Sequence, residues 1–212
     1  MVPWNVSIAQ PVRPSLARVL TADGQRNVWF VGDSADCAVI DPAGNVGDLL
    51  GQCDARRLRA ILWTTIWPES VALAISLADY TGAVTFLDTE DLALWRQAEP
   101  ERRPQRDVPS GTVLDIGGLT LESIHTPGIT PGGLCWYAPS LSCVFTGKTL
   151  GLHGPDTADI PGTADVAASA RLTLMASTRA GLFTLPSETV VHPGHGPDTR
   201  IGTQRWDRRF WS

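Results

Sequence analysis

The sequence predicts an α+β protein in which two sheets are covered by helices. Two observations carry this. Strand-like and helix-like segments come in two successive rounds along the chain. In the second round, short strands follow one another with turn residues between them, which fits two sheets better than one parallel sheet. The composition supports a folded chain with a sizeable core, since 43% of the 212 residues are apolar and only 18% are charged. A chain of this length is expected to form one domain, residues 1–212.

The first round opens with β-branched and aromatic runs at 27–33 and 36–41, two strands joined at a tight turn. Residues 45–55 can form a short helix, and 58–64 read as a buried strand. A helix starts at Pro68, where the missing N–H costs nothing. Val71, Ala74, Ile75 and Ala78 line one face of it, and Gly82 ends it. A strand at 83–87 and a helix at 90–97 complete the round. Residues 98–111 are charged and proline-rich and read as an exposed loop. The second round has strands at 112–116, 119–124, 133–137 and 143–146. Thr163 can cap a helix over 164–180, with Asp165 in its positive first turn and Gly181 after it. A last strand, 189–192, leads into PGHG.

Charge and cysteine usage narrow the function. A net charge of -5 argues against nucleic acid as a partner. No run approaches the roughly 18 apolar residues of a membrane span. Residues 1–10 show no secretory pattern, so a cytoplasmic protein without a membrane partner is expected. Cys37, Cys53, Cys135 and Cys143 form no Cys-x-x-Cys motif and read as buried free thiols. Sixteen arginines stand against one lysine, Lys148.

Six segments together point further. They are residues 27–42, with a Gly32-Asp33 turn and then VIDP, the strand and loop 60–70, and HTPGITPG at 125–132. TGKTL at 146–150, DIPG at 159–162 and HPGHGP at 192–197 complete the set. In this order they resemble the metallo-β-lactamase superfamily, nearest to its short glyoxalase II-like hydrolases. The resemblance implies a four-layer αββα sandwich, with a site where loops from both sheets meet. It also implies hydrolysis at a one- or two-metal centre, in which zinc or iron makes a hydroxide near neutral pH.

The metal motif itself departs from the family. The four places of His-x-His-x-Asp-His correspond to Thr65, Trp67, Glu69 and Ser70. The ligand of the third motif corresponds to Ile129, and the bridging aspartate to Lys148. Only His195 of PGHG keeps its family residue. His195 and Glu69 offer two donors at best, whereas zinc needs three or four. The expected cofactor is therefore none. His125 and His192 read as structural histidines, and His153, in the loop after Lys148, is a further candidate for the pocket.

A lost metal centre leaves a polar cavity that needs compensation. The expectation is that Lys148 becomes the local cation, paired with Glu69 or His195, while Trp67 and Ile129 fill the vacated volume. The candidate pocket is thus Thr65, Trp67, Glu69, Ser70, Ile129, Lys148, His153 and His195. Three functions stay open. One is a metal-free pseudoenzyme that binds a small molecule or a protein partner. Another is a metal-independent hydrolase of thioesters or esters working through Lys148 and His195. The last is a hydrolase with an atypical metal site.

Overall fold

The computed structural model describes residues 14–21, 24–156, 163–207 and 211. The DIPG segment at 159–162 lies outside the described residues. The first sheet holds β1 (Ser15–Leu20), β2 (Asn27–Gly32), β3 (Asp36–Ile40), β4 (Arg57–Leu62), β5 (Val84–Leu87) and β6 (Arg106–Asp107), in that order. The second holds β7 (Val113–Ile116), β8 (Leu119–His125), β9 (Leu134–Ala138), β10 (Cys143–Gly147), β11 (Val190–Pro193) and β12 (Thr199–Arg200), also in sequence order. Helices α1 (Val46–Cys53), α2 (Pro68–Thr81) and α3 (Leu92–Ala98) belong to the first round, and α4 (Ala164–Gly181) and α5 (Ile201–Arg205) to the second.

Strand periodicity explains the layers. Successive side chains point to opposite faces, and here both faces are covered. Val28 and Phe30 of β2 pack toward the helices with Leu49, Val71 and Leu77. Trp29 and Val31 pack toward the other sheet, against Leu121, Trp136 and Phe145. In the second sheet, Cys135 and Val144 face outward with Leu182 and Ile201. The result is the expected αββα arrangement. One β4 residue breaks the alternation. Cys37 pairs with Leu58 and Ala38 with Ala60, so Arg59 is an extra residue in the ladder. This bulge puts Leu58 and Ile61 on the helix side and Ala60 and Leu62 on the inter-sheet side.

Helix α2 runs over the expected range. Gly82 takes a left-handed φ of 73° and donates its N–H to the Ala78 carbonyl at 2.8 Å, which ends the helix. Leu77 is buried on the core face, while Ile75 is only partly buried. Thr163 precedes α4 but makes no side-chain cap. Residues 98–111 are less loop-like than expected. Arg106 and Asp107 pair in parallel with Phe86 and Leu87 and close the first sheet. Strands β1 and β12 and helix α5 add elements that residue patterning did not predict. Among the described residues, no helix is long and apolar enough to cross a membrane.

The two sheets are joined by hydrogen bonds as well as by apolar contact. Trp136 donates its indole N–H to the Trp63 carbonyl at 2.9 Å inside the core. Trp29 donates its indole N–H to the Pro193 carbonyl at 3.1 Å. Replacing Trp136 by Phe keeps most of the ring packing but leaves the Trp63 carbonyl without this donor. The expected cost is about 1–3 kcal/mol in urea unfolding, with an unchanged m-value.

Candidate functional site

Each sheet contains a parallel pair, β3 with β4 and β10 with β11. The residues just beyond the carboxyl ends of these four strands meet at one edge of the sandwich, a place where α/β sheets bind ligands. Asp41 and Pro42 follow β3, and Trp63, Thr64 and Thr65 follow β4. Lys148 follows β10 and His195 follows β11. Together with Arg26, Trp67 and Ser70 they line a cavity of about 40 Å³.

Asp41 ties the wall together. It takes a left-handed φ of 54°, and its N–H reaches the Leu62 carbonyl at 2.9 Å. Its carboxylate accepts from the Thr64 N–H and from the Thr64 hydroxyl, both at 2.7 Å. Gly147 lies directly over this pair at φ 53°. A Cβ there would stand 1.9 Å from Thr64 Oγ1, so the position requires glycine. Gly194 donates its N–H to the Gly147 carbonyl at 2.8 Å, and Asn27 Nδ2 donates to the Pro193 and Gly196 carbonyls, both at 2.9 Å. Loops from both sheets are therefore fixed against each other.

Lys148 enters the cavity from the second sheet. Its side chain is 10% exposed, and Nζ stands 4.8 Å from the Trp67 ring centroid. Desolvated cations over indole rings are favourable by about 2 kcal/mol. Asp156 Oδ2 is 3.7 Å from the ammonium. The expected pairing with Glu69 is not formed. Glu69 lies in the exposed first turn of α2 and faces Arg26 at 3.6 Å, with 59% of its side chain in solvent.

Other candidates separate. Ser70 is held by two bonds, donating to the Trp67 carbonyl at 2.8 Å and accepting from the Trp63 indole at 3.1 Å. Thr65 is buried, and its hydroxyl makes no hydrogen bond among the described residues. Ile129 does not fill the cavity. It lines a separate depression with Pro127 and Val166, because Asp91 anchors its loop by accepting from Thr130 Oγ1 and Gly132 N–H, each at 2.7 Å. His153 is exposed in a turn and does not line the cavity. His192 stacks on Phe145, lies against the tilted Trp29 ring, and has Nδ1 3.1 Å from an Asp198 carboxylate oxygen. His125 Nε2 meets the Pro131 carbonyl at 2.8 Å.

Asp41, Arg26 and Asp156 were missed as site residues. Asp41 had a signal, since it is the charged residue that ends the apolar strand CAVI. Arg26 and Asp156 had none, because their places depend on how the loops close.

Among the described residues, no three His, Cys, Asp or Glu side chains gather in a way that could hold a metal ion. The fold is that of metallo-β-lactamase proteins. The profile of the metallo-beta-lactamase superfamily matches residues 21–195, and the chain belongs to that superfamily. It is 35% identical over 200 residues to the probable metallo-hydrolase YqgX of Bacillus subtilis, covering 88% of this chain and 92% of that one. It is 25% identical over 199 residues to the hydroxyacylglutathione hydrolase GloC of Haemophilus influenzae, covering 86% and 90%. The BLEG-1 B3 metallo-beta-lactamase superimposes with a TM-score of 0.77 at 21% identity, over 93% of this chain and all of the other.

Burial pushes the Asp41 carboxyl up from 3.8 to about 6, against the hydrogen bonds from Thr64 and Thr65 and the charge of Arg26. Between these values the folded chain keeps a proton that the unfolded chain has released. The contribution of Asp41 to stability therefore falls as pH rises from about 4 to above 6, by up to about 3 kcal/mol. Subtracting the stability of Asp41→Asn from that of the native chain at each pH isolates this slope. Lys148→Met removes both the indole contact and the Asp156 pair, with an expected loss of about 1 kcal/mol. A loss below about 0.5 kcal/mol in the same measurement would mark Lys148 as a solvated surface residue.

Proposed function

We propose that this chain is a member of the superfamily that works without a bound transition metal. In this reading it takes a small ligand at the Lys148 cavity. The observation that carries the reading is the ammonium group itself, enclosed at the position where the family has its bridging carboxylate. A fixed cation there repels a divalent ion. Of the donors that zinc or iron would need, the described residues bring His195 and Asp41 to the cavity. Trp67, Thr65 and Lys148 do not substitute for the others. The residues present do not fit the family metal.

The ligand follows from the same atoms. One water needs about 10–15 Å³ of such space, so about 40 Å³ admits a group of a few heavy atoms. An ammonium, a buried threonine hydroxyl and an indole wall suit a carboxylate or carbonyl oxygen, held by a charge-assisted hydrogen bond. The hydrolase names of two relatives support hydrolysis as a second reading; without a metal, that reading assigns the work to Lys148 and His195 acting on a thioester. Ser70 is already committed to the loop, which leaves Thr65 as the available hydroxyl.

Elemental analysis of the purified protein and hydrolysis of S-lactoylglutathione with and without chelator test these readings. The expected result is substoichiometric zinc, iron and manganese, no chelator-sensitive turnover, and a melting temperature raised by small carboxylates in the native chain but not in Lys148→Met. Stoichiometric metal with chelator-sensitive turnover would overturn the proposal. Turnover that resists chelator and is lost in Lys148→Met or His195→Ala would establish the second reading.

A further inference from the structure

A second cation, Arg26, lines the Lys148 cavity from the other sheet. Its backbone is fixed on both sides. The Arg26 N–H donates to Thr21 Oγ1 at 3.1 Å, and its carbonyl accepts from the Thr21 N–H at 3.0 Å, which closes the connection between β1 and β2 at its base. The next residue, Asn27, is buried and donates its N–H to the Gly194 carbonyl at 2.8 Å. Position 26 is therefore held beside the loop that carries His195. The Arg26 side chain is less constrained. Nη2 stands 3.6 Å from Glu69 Oε1, beyond ordinary hydrogen-bond length, and the two side chains are 42% and 59% exposed. An exposed pair of this kind contributes little, so the guanidinium can exchange its partner.

The rest of the cavity also favours an anion. The Lys148 side chain is 10% exposed, and the buried Thr65 hydroxyl makes no hydrogen bond among the described residues. Trp67 and Ser70, in the first turn of the 14-residue helix α2, line the same space, and no side chain caps that turn. The positive end of the helix adds to the field of the two cations. Glu69 and Asp156, which face the cations, are not among the lining residues and are 59% and 43% exposed. Asp41 does line the cavity, but both of its oxygens already accept from Thr64.

We propose that this site takes a short dicarboxylate, one carboxylate enclosed at Lys148 and Thr65 and the other held at the rim by Arg26, which exchanges Glu69 for the ligand. The inference rests on the Lys148 ligand site proposed above and names the ligand class. About 40 Å³ has room for the few heavy atoms of one carboxylate and not of two. A second anionic group must then lie at the rim, where the half-exposed guanidinium stands. Its planar fork matches a carboxylate with two parallel hydrogen bonds, whereas the ammonium acts as a point donor. Cations drawn from different sheets suit two separate anionic groups better than the single centre of a phosphate. Arg26 is thus a specificity-determining residue, and Glu69 is the internal carboxylate that the ligand displaces.

Isothermal titration of the full chain at low ionic strength with acetate, malonate, succinate, glutarate and inorganic phosphate tests the proposal. The best dicarboxylate should bind about 5-fold tighter than acetate or more. In Arg26→Gln the two affinities should converge, and Arg26→Lys should restore part of the difference. Glu69→Gln should strengthen dicarboxylate binding about 2-fold or more, because the competing carboxylate is gone. Equal affinity for acetate and the dicarboxylates, a preference unchanged in Arg26→Gln, or phosphate binding as tight as the best dicarboxylate would overturn the dicarboxylate proposal and leave a single-anion site at Lys148. No binding of any of the five anions would overturn the Lys148 site as well. The comparison within the native chain decides this even if a variant does not fold.

Discussion

A single carboxylate holds the edge of this sandwich in shape. Asp41 ends β3 and accepts two hydrogen bonds from Thr64, which follows β4. The strand ends they terminate are parallel neighbours, so both chains leave the sheet in the same direction with unsatisfied backbone groups. Asp41 satisfies one of these groups and sets where the next residues, Thr65 to Trp67, can go. Gly147 then closes over Thr64 from the other sheet. If this contact failed, the cavity would lose the relation between its two halves, because Lys148 and His195 come from one sheet and Trp67 and Thr65 from the other.

The charges around the cavity are arranged in short local pairs. Arg26 faces Glu69 at 3.6 Å, and Lys148 faces Asp156 at 3.7 Å. The two pairs differ in setting. Arg26 and Glu69 are 42% and 59% exposed, where an ion pair is worth under about 1 kcal/mol. Lys148 is 10% exposed and stands against an indole, where the same charge matters more to the fold. Asp41 accepts its hydrogen bonds from neutral groups, and desolvation dominates its titration.

Much of this was legible in the residues. Apolar runs marked β2, β3, β4 and β10, because strands covered on both faces need apolar side chains at nearly every position. Pro68 and Gly82 marked the ends of α2. Strand β1 escaped because its alternate exposed positions dilute the pattern. Strand β6 escaped because two charged residues pair through the backbone alone, which side-chain pattern does not report. In the site, the order of motifs brought Lys148, His195, Trp67 and Thr65 to one place. The partners of Lys148 were not readable, since Glu69 and Asp156 are both acidic and only the path of the loops separates them. Ile129 moved away for a similar reason, as the buried anchor of its loop, Asp91, lies 38 positions earlier in the chain.

The enclosed ammonium also sets what position 148 can hold. An aspartate at position 148 would add a carboxylate to a cavity that already holds Asp41, with Asp156 close by, and would delete the cation that offsets them. Like charges in a desolvated space raise one another's proton affinity and weaken the fold.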